Sequence, residues 1–195
     1  MYLYIKRVGD IVLSLSAIIL LMPLFLLLIS FMKLDSKGPI LFCQKRVGIG
    51  KRHFMIYKFR SMKIDTPKDV PTHMLENPEQ YITRMGRFLR RTSLDELPQI
   101  LNILKGEMSI IGPRPALWNQ YDLIAERDRY GANDILPGLT GWAQINGRDE
   151  LPIPLKAKLD GAYVEGMCFA LDCKIFILTL TRAIAGKGLV EGANK

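Results

Sequence analysis

Apolar residues are concentrated near the start of the chain. No charged residue occurs from Ile11 to Met32, a run of 22 residues. A straight helix of that length rises about 33 Å, close to the hydrocarbon thickness of a bilayer. The pattern therefore predicts a membrane helix within residues 1–36 and a separate domain over residues 37–195.

Pro23 lies in the middle of this run, where it removes a backbone hydrogen bond and favours a kink. Basic residues flank the run on both sides, namely Lys6, Arg7, Lys33, Lys37, Lys45 and Arg46. Basic flanks favour the cytoplasmic side of a membrane, so both ends are predicted to face the cytoplasm. A re-entrant helix that bends at Pro23 and returns to the same face satisfies both observations. A helix that spans the bilayer with an internal proline also fits the pattern.

Beyond this run, short apolar stretches alternate with polar turns. Short strands are predicted over residues 40–44 and 54–59, joined by a turn at Gly48 and Gly50. Residues 64–79 are polar and contain three prolines, which predicts a surface loop. The first part of this domain is therefore expected to be a small β-structure.

The remaining chain has mainly helical patterns. Residues 81–104 are predicted to be helical with a break near Ser93, and a second helix follows to about residue 130. Residues 137–147 are glycine-rich and predict a loop. Residues 169–185 form an apolar helix that belongs either to the core or to the membrane surface. The predicted fold class is α/β, mostly helical with a small irregular sheet, and includes helices at the membrane interface.

The charge of the chain suits a polyanionic partner. Its 27 basic and 19 acidic side chains give a net charge of +8. Nucleic acid, anionic lipid and phosphorylated substrates would all match such a charge. The cysteines and histidines (Cys43, Cys168, Cys173, His53 and His73) have no metal-ligand spacing, so a zinc site or a disulfide framework is not indicated.

The densest group of charged residues lies between residues 84 and 96. Arginines recur there at spacings of three and four, which predicts one broad helical face formed by Arg84, Arg87, Arg90 and Arg91. Ser93 to Glu96 matches a capping box, which places the carboxylates of Asp95 and Glu96 at a helix start. Asp95 is an alternative cap, because Pro98 prefers the first helical turn.

Arginines and the N–H groups of a helix start can together hold phosphate. A carboxylate beside bound phosphates is repelled unless a divalent cation lies between them. Mg²⁺ that bridges Asp95 and a pyrophosphate would remove this conflict. A solvated surface stripe with helix-stabilising carboxylates is the plainer interpretation of the same residues.

Two later segments carry further candidate side chains. In Gly112–Pro115, two prolines restrict the backbone on either side of Arg114, whose guanidinium suits a phosphate or a structural salt bridge. The glycines of residues 137–148 permit close approach of a ligand. The side chains there that suit a base or a phosphate are Trp142, Asn146 and Arg148.

In this order, these motifs resemble the bacterial sugar transferases, the small monotopic phosphoglycosyl transferases. The resemblance covers essentially the whole chain. It is carried by Lys6–Arg7, the proline-containing apolar run, and residues 57–62, 93–99, 102–109, 112–115 and 137–148.

The resemblance implies transfer of a sugar-1-phosphate from a UDP-sugar to polyprenyl phosphate (undecaprenyl phosphate), with release of UMP. Asp95 would be the nucleophile of a ping-pong reaction and would carry the phosphosugar covalently. Glu96 would assist acid–base or metal chemistry, and Mg²⁺ would be required and bound in part by Asp95. The substrate contacts would be Lys58, Arg60, Arg90, Arg114, Trp142, Asn146 and Arg148.

The resemblance also implies a re-entrant helix in the bacterial inner membrane, with the catalytic domain on the cytoplasmic face. Met22 departs from the family, whose members often carry serine before the proline. The expected partners are the donor, the acceptor and membrane lipid, without nucleic acid, and a homodimer is allowed. A membrane-tethered basic binding protein and a glycosyltransferase that releases UDP are the competing hypotheses. The motifs do not identify the sugar.

Overall fold

The computed structural model describes residues 1–67, 77–147 and 151–184. Helix α1 (Tyr2–Asp35) has 34 residues and continues through Pro23 as a single helical element. By length and composition it can cross a membrane, and only 11% of its most apolar window is buried within the protein. The predicted long apolar helix is therefore present, while its place in the membrane, its bend at Pro23 and its return to the same face stay predictions.

The two predicted strands form an antiparallel hairpin. Strand β1 (Leu41–Val47) pairs with β2 (His53–Phe59), and a short 3-10 turn over Ile49–Lys51 connects them. Gly50 has a φ of 60° in this turn, a conformation that glycine adopts without strain. The structure confirms both strands and extends β1 beyond the predicted end at residue 44.

The helical region after the hairpin has the predicted interruption. Helix α2 (Arg84–Thr92) is followed by a 3-10 segment (Leu94–Gln99) and then by α3 (Ile100–Lys105). The interruption lies at Ser93, whose φ of 55° is left-handed and ends α2. This turn redirects the chain so that the 3-10 segment packs against β2.

The glycine-rich segment is more regular than predicted. Strand β3 (Ser109–Ile111) is followed by helix α4 (Tyr121–Asp128). Strand β4 (Gly138–Thr140) then pairs in parallel with β3, and the short helix α5 (Trp142–Ile145) follows β4. The prediction of a loop was therefore wrong for β4 and α5. Gly138 is needed for the close contact between these two segments, because a Cβ at position 138 would lie 2.1 Å from the backbone nitrogen of Gly112.

Two helices complete the described part of the chain. Helix α6 (Ile153–Gly166) was not predicted, and α7 (Phe169–Ile184) matches the predicted apolar helix. Tyr163 and Ile175 are buried together in the core, whereas Phe169 and Ile177 are exposed. Helix α7 thus contributes to the core and also presents apolar side chains at the surface. Within the described ranges, the fold is mostly helical with two small sheets, as the predicted fold class requires.

The first turns of α1 are bonded to the C-terminal part of the domain. Tyr2 and Lys6 donate hydrogen bonds to Oδ2 of Asp172 on α7, at 2.6 and 2.5 Å. The Asp10 carboxylate accepts from the backbone N–H of Ile110 in β3 at 3.1 Å. The start of the membrane helix is therefore attached to the strand that leads to Arg114.

The last turns of α1 pack against a different part of the domain. Leu28 and Met32 are buried with Phe59 of β2 and Leu89 of α2. Between these two attachment sites, apolar side chains such as Ile19 and Leu20 are exposed. Both ends of α1 therefore contact the same domain.

Candidate active site

Glu96 is the meeting point of three separate segments. Its Oε1 accepts a hydrogen bond from Nζ of Lys58 at 2.8 Å and from Nη2 of Arg114 at 3.0 Å. The side chains of Glu96 and Arg114 are 16% and 25% exposed, so the group is recessed but reachable from outside. The structure thus brings together Glu96 and Arg114, which residue patterns singled out, and Lys58, which the family resemblance implied.

Local structure explains how each of these side chains reaches the group. Lys58 is on β2, where alternation places it on the face opposite to the buried Phe59. Glu96 is in the 3-10 segment that packs on this strand. Arg114 follows β3 and is held between two prolines that restrict the direction of its backbone.

The charges around Glu96 determine its protonation. Burial acts to raise the pKa of this carboxyl, but the positive charges of Arg114 and Lys58 outweigh burial and hold the pKa well below its ordinary value. Glu96 is therefore a carboxylate at neutral pH. In this arrangement it accepts hydrogen bonds and has no proton to donate.

Asp95 is buried next to Glu96 in the first turn of the 3-10 segment. The predicted capping box is wrong. Ser93 makes no side-chain cap, because its left-handed backbone closes the end of α2 instead, and the Glu96 side chain turns to Lys58 and Arg114. Asp95 does not cap the segment either, since the position before the first turn is Ser93.

The arginines of α2 differ in exposure. Arg90 is half-buried in the last turn of the helix, three residues before the left-handed Ser93 that ends α2. The other three, Arg84, Arg87 and Arg91, are exposed. Arg90 is therefore the member of the predicted basic face that lies on the inner side of α2, and its contact with substrate stays a prediction.

Arg60 has a structural environment. Its Nη1 donates to the carbonyl of Lys37 at 2.8 Å, and its Nη2 donates to the side chain of Ser36 at 2.8 Å. The buried guanidinium thereby ties the end of β2 to the segment that follows α1. The structure does not join it to Glu96, and a role in substrate binding stays a prediction.

The candidates of the glycine-rich segment lie beside β3. Trp142 is half-buried against the core cluster that contains Ile111 and Ile145, and Nζ of Lys174 lies 5.3 Å from its ring centroid. Asn146 is exposed and donates to the carbonyl of Trp142 at 2.7 Å. Arg148 lies outside the described residues. No hydrogen bond or ion pair in the described ranges joins Trp142 or Asn146 to the Glu96 group, so their contacts with substrate stay predictions.

The backbone that carries Arg114 has a set of partners that sequence analysis missed. The three consecutive carbonyl oxygens of residues 113–115 each accept one hydrogen bond. The donors, in that order, are the N–H of Gly138 at 2.8 Å, Nη1 of Arg127 at 2.9 Å and Nη1 of Arg46 at 3.0 Å. Arg127 was indistinguishable in the sequence from a surface arginine of α4.

The acidic pair has the donor chemistry that suits Mg²⁺. Within residues 1–67, 77–147 and 151–184 there is no group of three or more His, Cys, Asp or Glu side chains that would form a complete metal cage. Mg²⁺ is usually held by one or two carboxylates together with substrate phosphates, so it does not need such a cage. The Asp95–Glu96 pair fits that mode of binding.

Comparison with known proteins gives a match over most of the chain. The model of the bacterial sugar transferase family covers residues 1–186. The chain belongs to that family. This transferase is 40% identical over 189 residues to the undecaprenyl-phosphate glucose phosphotransferase of Komagataeibacter xylinus. That match covers 92% of this chain but 36% of the relative, so the chain spans about a third of that protein.

Two other relatives differ in length, and one of them is named for a sugar other than glucose. The uncharacterized sugar transferase EpsL of Bacillus subtilis (strain 168) is 36% identical, with 96% of this transferase and 91% of the relative covered. The UDP-N-acetylgalactosamine-undecaprenyl-phosphate N-acetylgalactosaminephosphotransferase of Aeromonas hydrophila is 37% identical, with 96% of this transferase and 45% of the relative covered. The matched region is thus compatible with relatives named for different sugars.

Proposed function

We propose that this transferase moves a sugar-1-phosphate from a UDP-sugar to undecaprenyl phosphate and releases UMP. The observation that carries the proposal is the Glu96 carboxylate shared by Lys58 and Arg114, directly beside the buried Asp95. Carboxylates among cations suit a site that must both attack and neutralise a pyrophosphate. The names of the K. xylinus and A. hydrophila relatives support the same acceptor lipid.

The proposed reaction has two displacements at phosphorus. A carboxylate oxygen of Asp95 attacks the β-phosphorus of the UDP-sugar, the bond from that phosphorus to the bridging oxygen breaks, and UMP leaves with the bond's electrons. A phosphate oxygen of undecaprenyl phosphate then attacks the same phosphorus. The bond to Asp95 breaks and the aspartate carboxylate is regenerated. A carboxylate is a weak nucleophile, so its position contributes more than its basicity.

The cations beside the Asp95–Glu96 pair, called the dyad below, have a separate role in this reaction. Lys58 and Arg114 reduce the repulsion between the acidic pair and the incoming phosphates, and they stabilise charge on the departing UMP. Glu96 orients both cations because it accepts hydrogen bonds from each. It would also help Asp95 to hold Mg²⁺ as the second carboxylate of the pair.

Mg²⁺ is part of the proposal because the donor brings a pyrophosphate to two carboxylates. Asp95, with Glu96 beside it, would hold the ion together with the donor phosphates. When bound, the ion supplies positive charge that stabilises the departing phosphate. Arg60, Arg90, Trp142, Asn146 and Arg148 complete the proposed set of substrate contacts.

The membrane arrangement belongs to the same proposal. A re-entrant α1 keeps both of its ends on the cytoplasmic face of the inner membrane, where the nucleotide-sugar is available. The contacts of Lys6 with Asp172 and of Met32 with Phe59 support it, because both ends of α1 reach one domain. The exposed apolar side chains between those ends would face lipid. The acceptor's phosphate would then lie at the membrane surface next to the dyad.

Nucleotide release by the purified protein in detergent tests the proposed function. Wild type and Asp95→Asn are incubated with Mg²⁺, undecaprenyl phosphate and a panel of UDP-sugars. UMP from wild type but not from Asp95→Asn is the expected result, and the active member of the panel names the sugar. Release of UDP would contradict phosphosugar transfer. Absence of any nucleotide product across the panel would favour a basic protein that binds without catalysis.

A further inference from the structure

A buried ion pair lies behind Arg114. Arg127 of α4 and Asp160 of α6 are 3% and 1% exposed. Oδ2 of Asp160 accepts from Nε of Arg127 at 2.8 Å and lies 2.6 Å from its Nη2. The remaining nitrogen, Nη1, donates to the carbonyl oxygen of Arg114 at 2.9 Å. One guanidinium therefore joins a carboxylate on one side to the backbone of Arg114 on the other.

Stability alone does not explain this pair. Removing two charges from water is costly, and well-packed apolar residues of similar size often serve a core equally well or better. The surrounding packing is tight, since a Cβ at Gly161 would lie 2.5 Å from Cβ of Tyr130. Burial raises the pKa of Asp160 and Arg127 works against that rise, so each charge depends on the other.

An arginine does here what a lysine or an apolar residue could not. Its planar fork presents two nitrogens to Asp160 while the third points to a carbonyl, and the three directions are set by one rigid group. The neighbouring carbonyl of Pro115 is held in a similar way by Arg46 at 3.0 Å. The backbone on which Arg114 stands is thus restrained by side chains from two distant parts of the chain.

Restraint of this backbone has a consequence at the dyad. The direction of a side chain follows from its backbone. The backbone of Arg114 must therefore place Nη2 where it donates to Oε1 of Glu96 at 3.0 Å. Small errors in the position of a charged group that acts on phosphate reduce its effect sharply. We propose that Arg127, neutralised by Asp160, is a positioning residue that aims Arg114 at Glu96. The proposal rests on the proposed function, because that function is what gives the aim of Arg114 its importance.

A double-mutant cycle tests whether Arg127 acts through Arg114. Rates of UMP release and thermal unfolding are measured for Arg127→Lys, Arg114→Lys and the double variant, with the preferred UDP-sugar. Arg127→Lys is expected to lower kcat/KM about tenfold in the wild-type background and to change it less than about twofold when Arg114 is already lysine. Equal losses in both backgrounds would overturn the proposal, because an effect on folding alone would not depend on Arg114.

Arg129→Lys is the matched control. Arg129 lies two residues further along the chain and is exposed, with Glu126 as its ion-pair partner. This change is expected to leave the rate and the unfolding temperature near those of wild type. If Arg127→Lys does not fold, the variant Arg127→Met/Asp160→Leu, which replaces both charges by apolar side chains, takes its place. Its UMP release and thermal unfolding are then measured with Arg114 and with Arg114→Lys. A folded apolar variant with full activity would contradict a positioning role.

A measurement without turnover separates this inference from the proposed function. The NMR signal of the Arg114 Nε–H group, assigned by its loss in Arg114→Lys, is recorded in protein with labelled arginine. It is expected to shift or broaden in Arg127→Lys and to stay unchanged in Arg129→Lys. An unchanged signal in Arg127→Lys would overturn the inference even if UMP is released. A changed signal would support the restraint of Arg114 even if wild type released no UMP and the proposed function failed.

Discussion

At the scale of single residues, the site depends on shared partners. Lys58, Glu96 and Arg114 come from three separated motifs, and each would have a plausible structural role if it stood alone. Together they form one carboxylate between two cations, at 2.8 and 3.0 Å. The ionised state of Glu96 follows from that arrangement, because the two positive charges outweigh the effect of burial.

The first prediction concerns Lys58. Lys58→Met removes one of the two cations from Glu96 and from the incoming phosphates, so UMP release is expected to fall at least tenfold, the usual effect of losing one aligned charge in a transition state. Lys51→Met is the control, because Lys51 pairs with Asp128 at the exposed surface, where such pairs contribute about 0–1 kcal/mol to stability. Equal activity of the two variants would remove Lys58 from the site.

The second prediction concerns pH and the stability of Glu96. Its folded pKa is lower than its unfolded value of about 4.3, so its stabilising contribution is complete above that value. The contribution is lost as the pH falls through the folded pKa. The unfolding temperatures of wild type and Glu96→Gln should therefore differ by a constant amount from about pH 8 to 6, and the difference should shrink only in acid below about pH 4. A difference that already shrinks between pH 7 and 6 would show that Glu96 is not held ionised.

At the scale of elements, short segments take their positions from distant neighbours. Strand β4 forms only by pairing with β3, and the Arg114 segment lies where these strands and α4 meet. Helix α1 is held by contacts at both of its ends, to α7 and β3 near its start and to β2 and α2 near its end. Contacts with other elements therefore determine where the elements near the site lie.

The third prediction concerns the close approach of β4 to the Arg114 segment. Gly138→Ala would place a Cβ 2.1 Å from the backbone nitrogen of Gly112, which cannot move aside as a flexible side chain can. The change is expected to lower the free energy of unfolding by about 1–3 kcal/mol, the usual range for overpacked sites. Gly9→Ala, which has no atom within 4 Å of the added Cβ, is the control in the same denaturation experiment. Equal stability of both variants would contradict the packing described for β4.

The fourth prediction tests the membrane arrangement of α1. Single cysteines are introduced at Tyr4 and Lys37 in a variant without the three native cysteines, and a membrane-impermeant thiol reagent is applied to spheroplasts and to inverted vesicles. A re-entrant helix predicts that both positions react in inverted vesicles and that neither reacts in spheroplasts. Reaction of one position from each side would demonstrate a spanning helix and correct the proposed topology.

At the scale of the whole molecule, the proposed function requires one domain on one membrane face to serve two different substrates. The proposed soluble donor and lipid acceptor would both bring a phosphate to the Asp95–Glu96 pair, where Lys58 and Arg114 bond to Glu96. A ping-pong order allows the two phosphates to use the same group in turn. The membrane helix would bring the acceptor to this group, because its ends are attached to the same domain.

The fifth prediction follows from that order. Wild type incubated with a UDP-sugar labelled at the β-phosphorus, with Mg²⁺ and without acceptor, should become covalently labelled and release one UMP per label. Addition of undecaprenyl phosphate should move the label into lipid, and Asp95→Asn should remain unlabelled because it lacks the attacking carboxylate. Product formation without any labelled protein on the reaction timescale would favour direct transfer between the two substrates.

The sequence by itself determined the membrane helix, the β-hairpin, the break near Ser93 and the three motifs that supply Lys58, Glu96 and Arg114. These features depend on local patterns, since hydrophobic runs, turn residues and short motifs are visible within a few neighbouring residues. The predicted capping box failed because Ser93 adopts a left-handed backbone that ends α2, a conformation that is uncommon for residues other than glycine.

Only the tertiary structure decided that these three residues meet and that β4 pairs with β3. It also decided that Arg127, paired with Asp160, donates to the backbone carbonyl of Arg114. Each of these facts joins residues far apart in the chain, and a side chain's neighbours in sequence do not specify its partner across the fold. The sequence alone therefore supplied the chemistry of the site, whereas packing between distant segments supplied its geometry.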